Sequence, residues 1–187
     1  MRLDQRRLRP FGGAEQLTAD RTNADQLLQL AQQVTGFDVV IDTSSYNAES
    51  TRTAWAAFSG MTERWIHLSS AAVYKETPGR CPAEGDPIGG AEIWADYGVE
   101  KAAADAFLIE KAEQLPVTIF RPPYLYGPGN DNDRESFIWA RCLQRRPVVL
   151  PGNGETLIQF LHAGDLADIM VHAAASEAIG AQVFNRK

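Results

Sequence analysis

Cysteine is nearly absent from this chain: Cys81 and Cys142 stand far apart and form no C-x-x-C pair. That excludes a disulfide framework and a thiolate zinc site, and suits a reducing compartment. Histidine is as scarce, and His67, His162 and His172 show no metal-ligand spacing. No apolar run approaches the ~20 residues of a membrane span, and no signal-peptide pattern opens the chain. A soluble, cytoplasmic protein with no membrane partner is therefore expected. An excess of basic charge is missing too. Eighteen Lys and Arg face 24 Asp and Glu, for a net charge of −6, which makes nucleic acid an unlikely partner. Only the first ten residues run the other way, with Arg2, Arg6, Arg7 and Arg9 against Asp4. A solvated terminus explains them most simply, and a phosphate contact is the second reading.

What is present suits one soluble domain with a real core: 187 residues, 44% apolar and 22% charged. Short apolar segments alternate with helical ones. Glu15–Ala19 reads as a strand ending at Asp20. Thr22-Asn23 offers a cap for a helix through Leu27, Leu28, Leu30 and Ala31. Phe37–Ile41 reads as a strand stopping at Asp42-Thr43-Ser44-Ser45, followed by a helix over 48–58 and a strand over Trp65–Leu68. Residues 75–91 are rich in Gly, Pro and charge and read as a long loop. A long helix over 94–113 and a strand over Val117–Phe120 come next, closed by Arg121-Pro122-Pro123. Beyond residue 126, a helix near 135–144, a strand over Thr156–Leu161 and a helix capped by Asp165 are expected.

Strands that are nearly all apolar and alternate with helices predict a parallel sheet covered on both faces. The fold class is α/β, a Rossmann-like doubly wound sheet over residues 1–125 with a small substrate lobe over 126–187. In such sheets ligands sit beyond the carboxyl ends of the strands. The polar strand ends Thr43-Ser44-Ser45 and Ser69-Ser70, and the loop Pro122-Pro123-Tyr124, fall at that edge.

One pair carries chemistry. Tyr97 and Lys101, four residues apart, share a helix face. An ammonium beside a phenol favours its ionised form, and a serine nearby could hydrogen-bond a substrate oxygen. That is equipment for moving a proton on or off an alcohol. A lone Y-x-x-x-K spacing arises often by chance, and the upstream Ser69-Ser70 is what raises its weight.

Four blocks in order resemble the extended short-chain dehydrogenase/reductases, the NAD-dependent epimerase/dehydratase family: Leu68–Tyr74, Tyr97–Lys101, Arg121–Gly129 and Phe160–Ala167. The resemblance implies Tyr97 as acid/base, Lys101 as its partner and the holder of the nicotinamide ribose, and Ser70 as the residue orienting substrate. It implies an adenine contact at Asp20 and Arg21, a cofactor-lining strand end at Thr43, Ser44 and Ser45, and a nicotinamide border at Pro122, Pro123 and Tyr124. The cofactor would be NAD or NADP, the substrate a nucleotide sugar, and the assembly a homodimer. The dehydratase branch carries an acid pair after the catalytic hydroxyl residue. Ala71 and Ala72 stand here, so epimerisation or simple reduction is expected over loss of water. The family's opening strand and glycine-rich turn have no counterpart in this sequence, which reads as starting after the second strand of the fold and stopping within the substrate lobe. The rival expectation is therefore a non-catalytic remnant, or a relative that binds RNA or protein.

Overall fold

The computed structural model describes residues 14–130, 134–150, 152–177 and 180–185. The N-terminal arginines lie outside these residues. The strand β1 (Val40–Asp42) opens a parallel sheet of order β1-β2-β3-β6, with β2 at Trp65–Leu68, β3 at Val117–Phe120 and β6 at Ala181–Phe184. Helix α1 (Ala24–Ala31), α2 (Ala48–Phe58) and the long α3 (Ala95–Lys111) follow one another along one face. A second, two-stranded parallel sheet pairs β4 (Tyr124–Tyr126) with β5 (Phe160–His162). Helix α4 (Arg134–Leu143) lies between these two strands in sequence, and α5 (Ala163–Ala175) follows β5 directly.

Strand alternation divides the core in two. Trp65, Val117 and Ile119 are wholly buried and pack with Leu27, Trp55 and Leu108 of the three helices. Ile66 and Phe120 point the other way, onto Leu166 and Met170 of α5. The doubly wound arrangement predicted from the apolar strands is thus present. Residues after 126 are shared between the sheets: β5 joins β4, whereas α5 covers the main sheet and β6 extends it beside β3.

Asn23 and Asn47 cap α1 and α2, their side chains accepting from the backbone N–H of Gln26 and Ser50. Four expectations need correction. The strand expected over Thr156–Leu161 is shifted to Phe160–His162. Residues 15–19 form no strand; with nearly every side chain there exposed, nothing holds an extended segment against the sheet. The strand expected over 37–41 is displaced to Val40–Asp42, because Phe37 makes only an isolated bridge to Thr62. Asp165 is not the cap of α5. The His162 ring accepts from the Gly164 N–H at 3.1 Å, and Asp165 sits inside the first turn.

Candidate active site

The carboxyl ends of β1, β2 and β3 open into a cleft of about 1290 Å³. Its wall includes Thr43, Ser45, Ser70, Tyr97, Lys101, Pro122, Pro123 and Tyr124 together. Residues far apart in sequence meet there because each parallel strand ends at the same edge.

Lys101 organises the cleft. Its Nζ donates to the carbonyl oxygens of Ser45 and Leu68, both at 2.7 Å, and so ties α3 to the ends of β1 and β2. An ammonium has three donors, which leaves one for the cleft that Lys101 lines. Burial pushes the Lys101 amine down to about 8 from its ordinary 10.5, against the opposing fields of Asp105 and Asp42. Since the folded value lies below the unfolded one, burying the ammonium costs stability at neutral pH. That cost is relieved as pH rises from about 8 towards 10.5. Tyr97, one turn earlier, is partly exposed to the cleft.

Ser70 begins a 3₁₀ turn over Ala71–Val73, and its Oγ accepts from the Ala72 N–H at 3.2 Å. The hydroxyl proton is not used in that bond. Ser69 is buried, and its Oγ has no hydrogen-bond partner. Both serines line the cleft, as do Ala71 and Ala72.

The residues for which the resemblance implied an adenine contact, and Ser44 with them, fall differently. Asp20, Arg21 and Ser44 do not line the cleft. Asp20 is exposed and accepts from the backbone and hydroxyl of Thr22, an Asx turn that starts the loop before α1. Arg21 is engaged by Asp42 through two bonds of 2.6 Å, and it also donates to Ser44 Oγ at 2.8 Å. Burial of Asp42 is outweighed by His67 and Arg21, which hold its carboxyl well below the usual range. Ser45 reaches the cleft edge, but its Oγ is turned inward onto Thr51 and the Asn47 carbonyl. Its contribution to the site is the carbonyl that holds Lys101.

Beneath the cleft lies a buried polar chain that sequence reasoning reached only in part. Arg121 forms an internal ion pair, donating from Nε to Asp105 at 2.8 Å. Its Nη1 donates to the Tyr74 hydroxyl at 2.8 Å, which donates on to Asn185 at 2.7 Å. The His67 ring lies between Asp42 and Asp105, 3.8 and 3.9 Å from their carboxylates. Trp94 and Tyr124, ring centroids 5.8 Å apart, give the cleft an aromatic wall. Lys75, Glu76 and Arg80 bring charge from the 75–91 loop, and Leu157 and Ile158 close the far side. Tyr124 was expected from the family resemblance; the others had no spacing signal, and only the loop's charge could have pointed to them.

A profile of the NAD dependent epimerase/dehydratase family matches residues 5–185. This chain belongs to that family. It is 27% identical over 169 residues to the chloroplast stem-loop binding protein of 41 kDa b from Arabidopsis thaliana, spanning 90% of this chain and 43% of that protein. Solved structures share the fold. Bordetella bronchiseptica WbmG, in complex with NAD and UDP, superposes with a TM-score of 0.75 at 19% identity, covering 95% of this chain and 59% of that one. A Methanobrevibacter ruminantium UDP-N-acetylglucosamine 4-epimerase gives 0.71 at 19% identity, covering 91% and 60%. The chain thus spans less than two thirds of each of these relatives. Among the described residues no group of three or more His, Cys, Asp or Glu is placed to hold a metal ion. None of their helices is long and apolar enough to cross a membrane.

The residues present fit half of a dinucleotide. Lys101, with a donor to spare beside the strand ends, and Pro122–Tyr124 line the same cleft, and these residues could hold a nicotinamide and its ribose. No glycine-rich turn to cradle a pyrophosphate occurs in the sequence.

Proposed function

We propose that this chain carries the proton-handling half of an NAD(P)-dependent enzyme acting on a hydroxyl-bearing carbon of a nucleotide sugar. The observation that carries this reading is the anchoring of Lys101 to two strand-end carbonyls, with Tyr97 one turn before it and Ser70 in the same cleft. Tyr97 takes the proton of the substrate hydroxyl, and the Ser70 hydroxyl hydrogen-bonds the same oxygen and orients it. Lys101 keeps positive charge beside the phenol and would hold the cofactor ribose. NAD(P), when bound, supplies the hydride acceptor. Residues up to 125 then serve the cofactor and those from 126 the substrate, in a homodimer.

Two alanines shape the outcome. Loss of water needs an acid and a base beside the sugar, and Ala71 and Ala72 offer neither. Epimerisation, or oxidation with release of the ketone, is the chemistry these residues support.

The test is titration of NAD and NADP into the protein, followed by turnover with UDP-glucose and dTDP-glucose. Replacing Tyr97 by Phe should cost about 10²–10⁴-fold in kcat with an unchanged melting temperature. An equal rate in that variant removes the assignment. Activity that needs the Lys101 ammonium should fall as pH rises through about 8.

Likeness to a stem-loop binding protein supports a second reading, RNA binding. The net charge of −6 opposes it. A salt-dependent gel shift with a stem-loop RNA, together with no NAD binding, would put that reading first.

A further inference from the structure

Three pieces of backbone meet beside Tyr97, with only the Trp94 Cβ, 3.1 Å from where a Cβ at Gly98 would lie, reaching into the junction. The first is the 3₁₀ turn that Ser70 caps. The second is the loop at Gly89-Gly90, whose two N–H groups both donate to the Val73 carbonyl at 2.8 Å. The third is the opening turn of α3. A Cβ at Gly90, where φ is +80°, would lie 2.7 Å from the Gly98 carbonyl carbon and from the Val99 nitrogen. A Cβ at Gly98 would lie 2.6 Å from the Ala72 carbonyl oxygen and 3.0 Å from the Gly90 Cα. Only glycine permits either approach.

The helix enters this junction through a residue under strain. Ala95 stands at φ 45° and ψ −138°, a backbone region that belongs to glycine. Upstream the chain is held by Trp94 against the Tyr124 ring. Downstream it is held by Lys101 on the carbonyls of Ser45 and Leu68. The distortion therefore falls two residues before Tyr97 and is fixed from both sides.

We propose that Gly90, Ala95 and Gly98 are positioning residues: a glycine junction and a strained entry that together set the distance between the Ser70 hydroxyl and the Tyr97 phenol. This rests on the functional reading above and adds to it a device that acts only through the backbone. Side chains at 70 and 97 can rotate, but the turn and the helix that carry them cannot slide past one another. Strain at Ala95 keeps the first turn of α3 pressed onto Gly90.

The test compares wild type, Ala95→Gly and Gly98→Ala. Turnover of UDP-glucose as the probe substrate is read as NADH at 340 nm together with epimer and ketone formation by chromatography, beside NAD affinity, melting temperature and amide exchange over residues 96–101. Gly98→Ala should lower kcat by about 10²-fold, the cost of a misplacement near 1 Å. Ala95→Gly removes the strain and no cleft atom, so its melting temperature should not fall. Its kcat should nevertheless drop roughly tenfold, with KM and NAD affinity within about twofold of wild type, and exchange over 96–101 should quicken. Should Gly98→Ala fail to fold, Ala95→Gly decides. A folded Ala95→Gly protein with either unchanged kcat or unchanged exchange overturns the proposal. A wild type that neither binds NAD nor turns over defeats the functional reading instead, and the exchange measurement then judges the junction alone.

Discussion

The sheet side of the cleft and the segment 134–160 have similar appetites for apolar residues and opposite fates. Around β2 and α3, Trp65, Ile66, Val73, Leu108 and Ile119 lie completely out of solvent. Along 134–160, Trp139, Leu143, Val149, Leu150 and Leu157 are each more than 60% exposed. The difference is one of layers. A parallel strand buries both faces under helices and also satisfies its backbone through two neighbours. Helix α4 faces no such sheet. Its large apolar side chains, Phe137, Ile138, Trp139 and Leu143, are accordingly all exposed. The catalytic candidates stand on the first side, where position is held by backbone, and the cleft wall at Leu157 and Ile158 belongs to the second.

Breaking the buried side should therefore cost far more than altering the exposed one. Arg121→Met leaves the Asp105 carboxylate buried without its partner and should lower stability by about 3–5 kcal/mol in denaturant titration. Leu108→Ala should cost roughly 2–5 kcal/mol, while Leu143→Ala, at a residue 84% exposed, should stay within about 0.5 kcal/mol. Equal losses at these two leucines would dissolve the comparison.

The Arg21–Asp42 pair at the end of β1 tests the same contrast by pH. Asp42→Asn should cost about 2 kcal/mol at neutral pH, since hydrogen bonds to a charged group are weakened. The native carboxyl is held below its ordinary 3.8, so its stabilisation is complete above that pH and is lost as pH falls below it. The gap between the variant and wild type should accordingly narrow in acid, and a constant gap from pH 7 to 3 would assign the loss to packing. A smaller loss than at Asp42 is expected at the entrance to α2. Asn47→Ala removes the cap on the Ser50 N–H at 2.8 Å and should cost about 1 kcal/mol.

Helices and strands whose apolar pattern matches their burial were readable from residues alone: α2 over 48–58, β2 over 65–68 and β3 over 117–120. Each is buried by neighbours whose own pattern demands it. Reading failed where burial was not there to enforce the pattern. Glu15–Ala19 has the composition of a short strand but no covering layer, and most of 156–161 stays outside β5 for the same reason. His162 takes the capping role expected of Asp165 because the chain leaves β5 one residue before the helix begins. The site divides likewise. Tyr97, Lys101 and Ser70 announce themselves by type and spacing, whereas Asp105, His67 and Asn185 matter only through neighbours on other elements, from 16 to 111 residues away.

By itself, then, the sequence determined which chemical groups are available: a phenol and an amine one helical turn apart, a serine after an apolar strand, and no acid at positions 71 and 72. Helical periodicity settles the first, because it depends only on residues within one turn. The tertiary structure alone decided that Lys101 is held by the ends of two strands, that Arg21 is engaged by Asp42, and that Gly90 and Gly98 bring the serine turn onto the tyrosine helix. Those are contacts between backbone segments distant in the chain, and they exist only once the parallel sheet has gathered its strand ends along one edge.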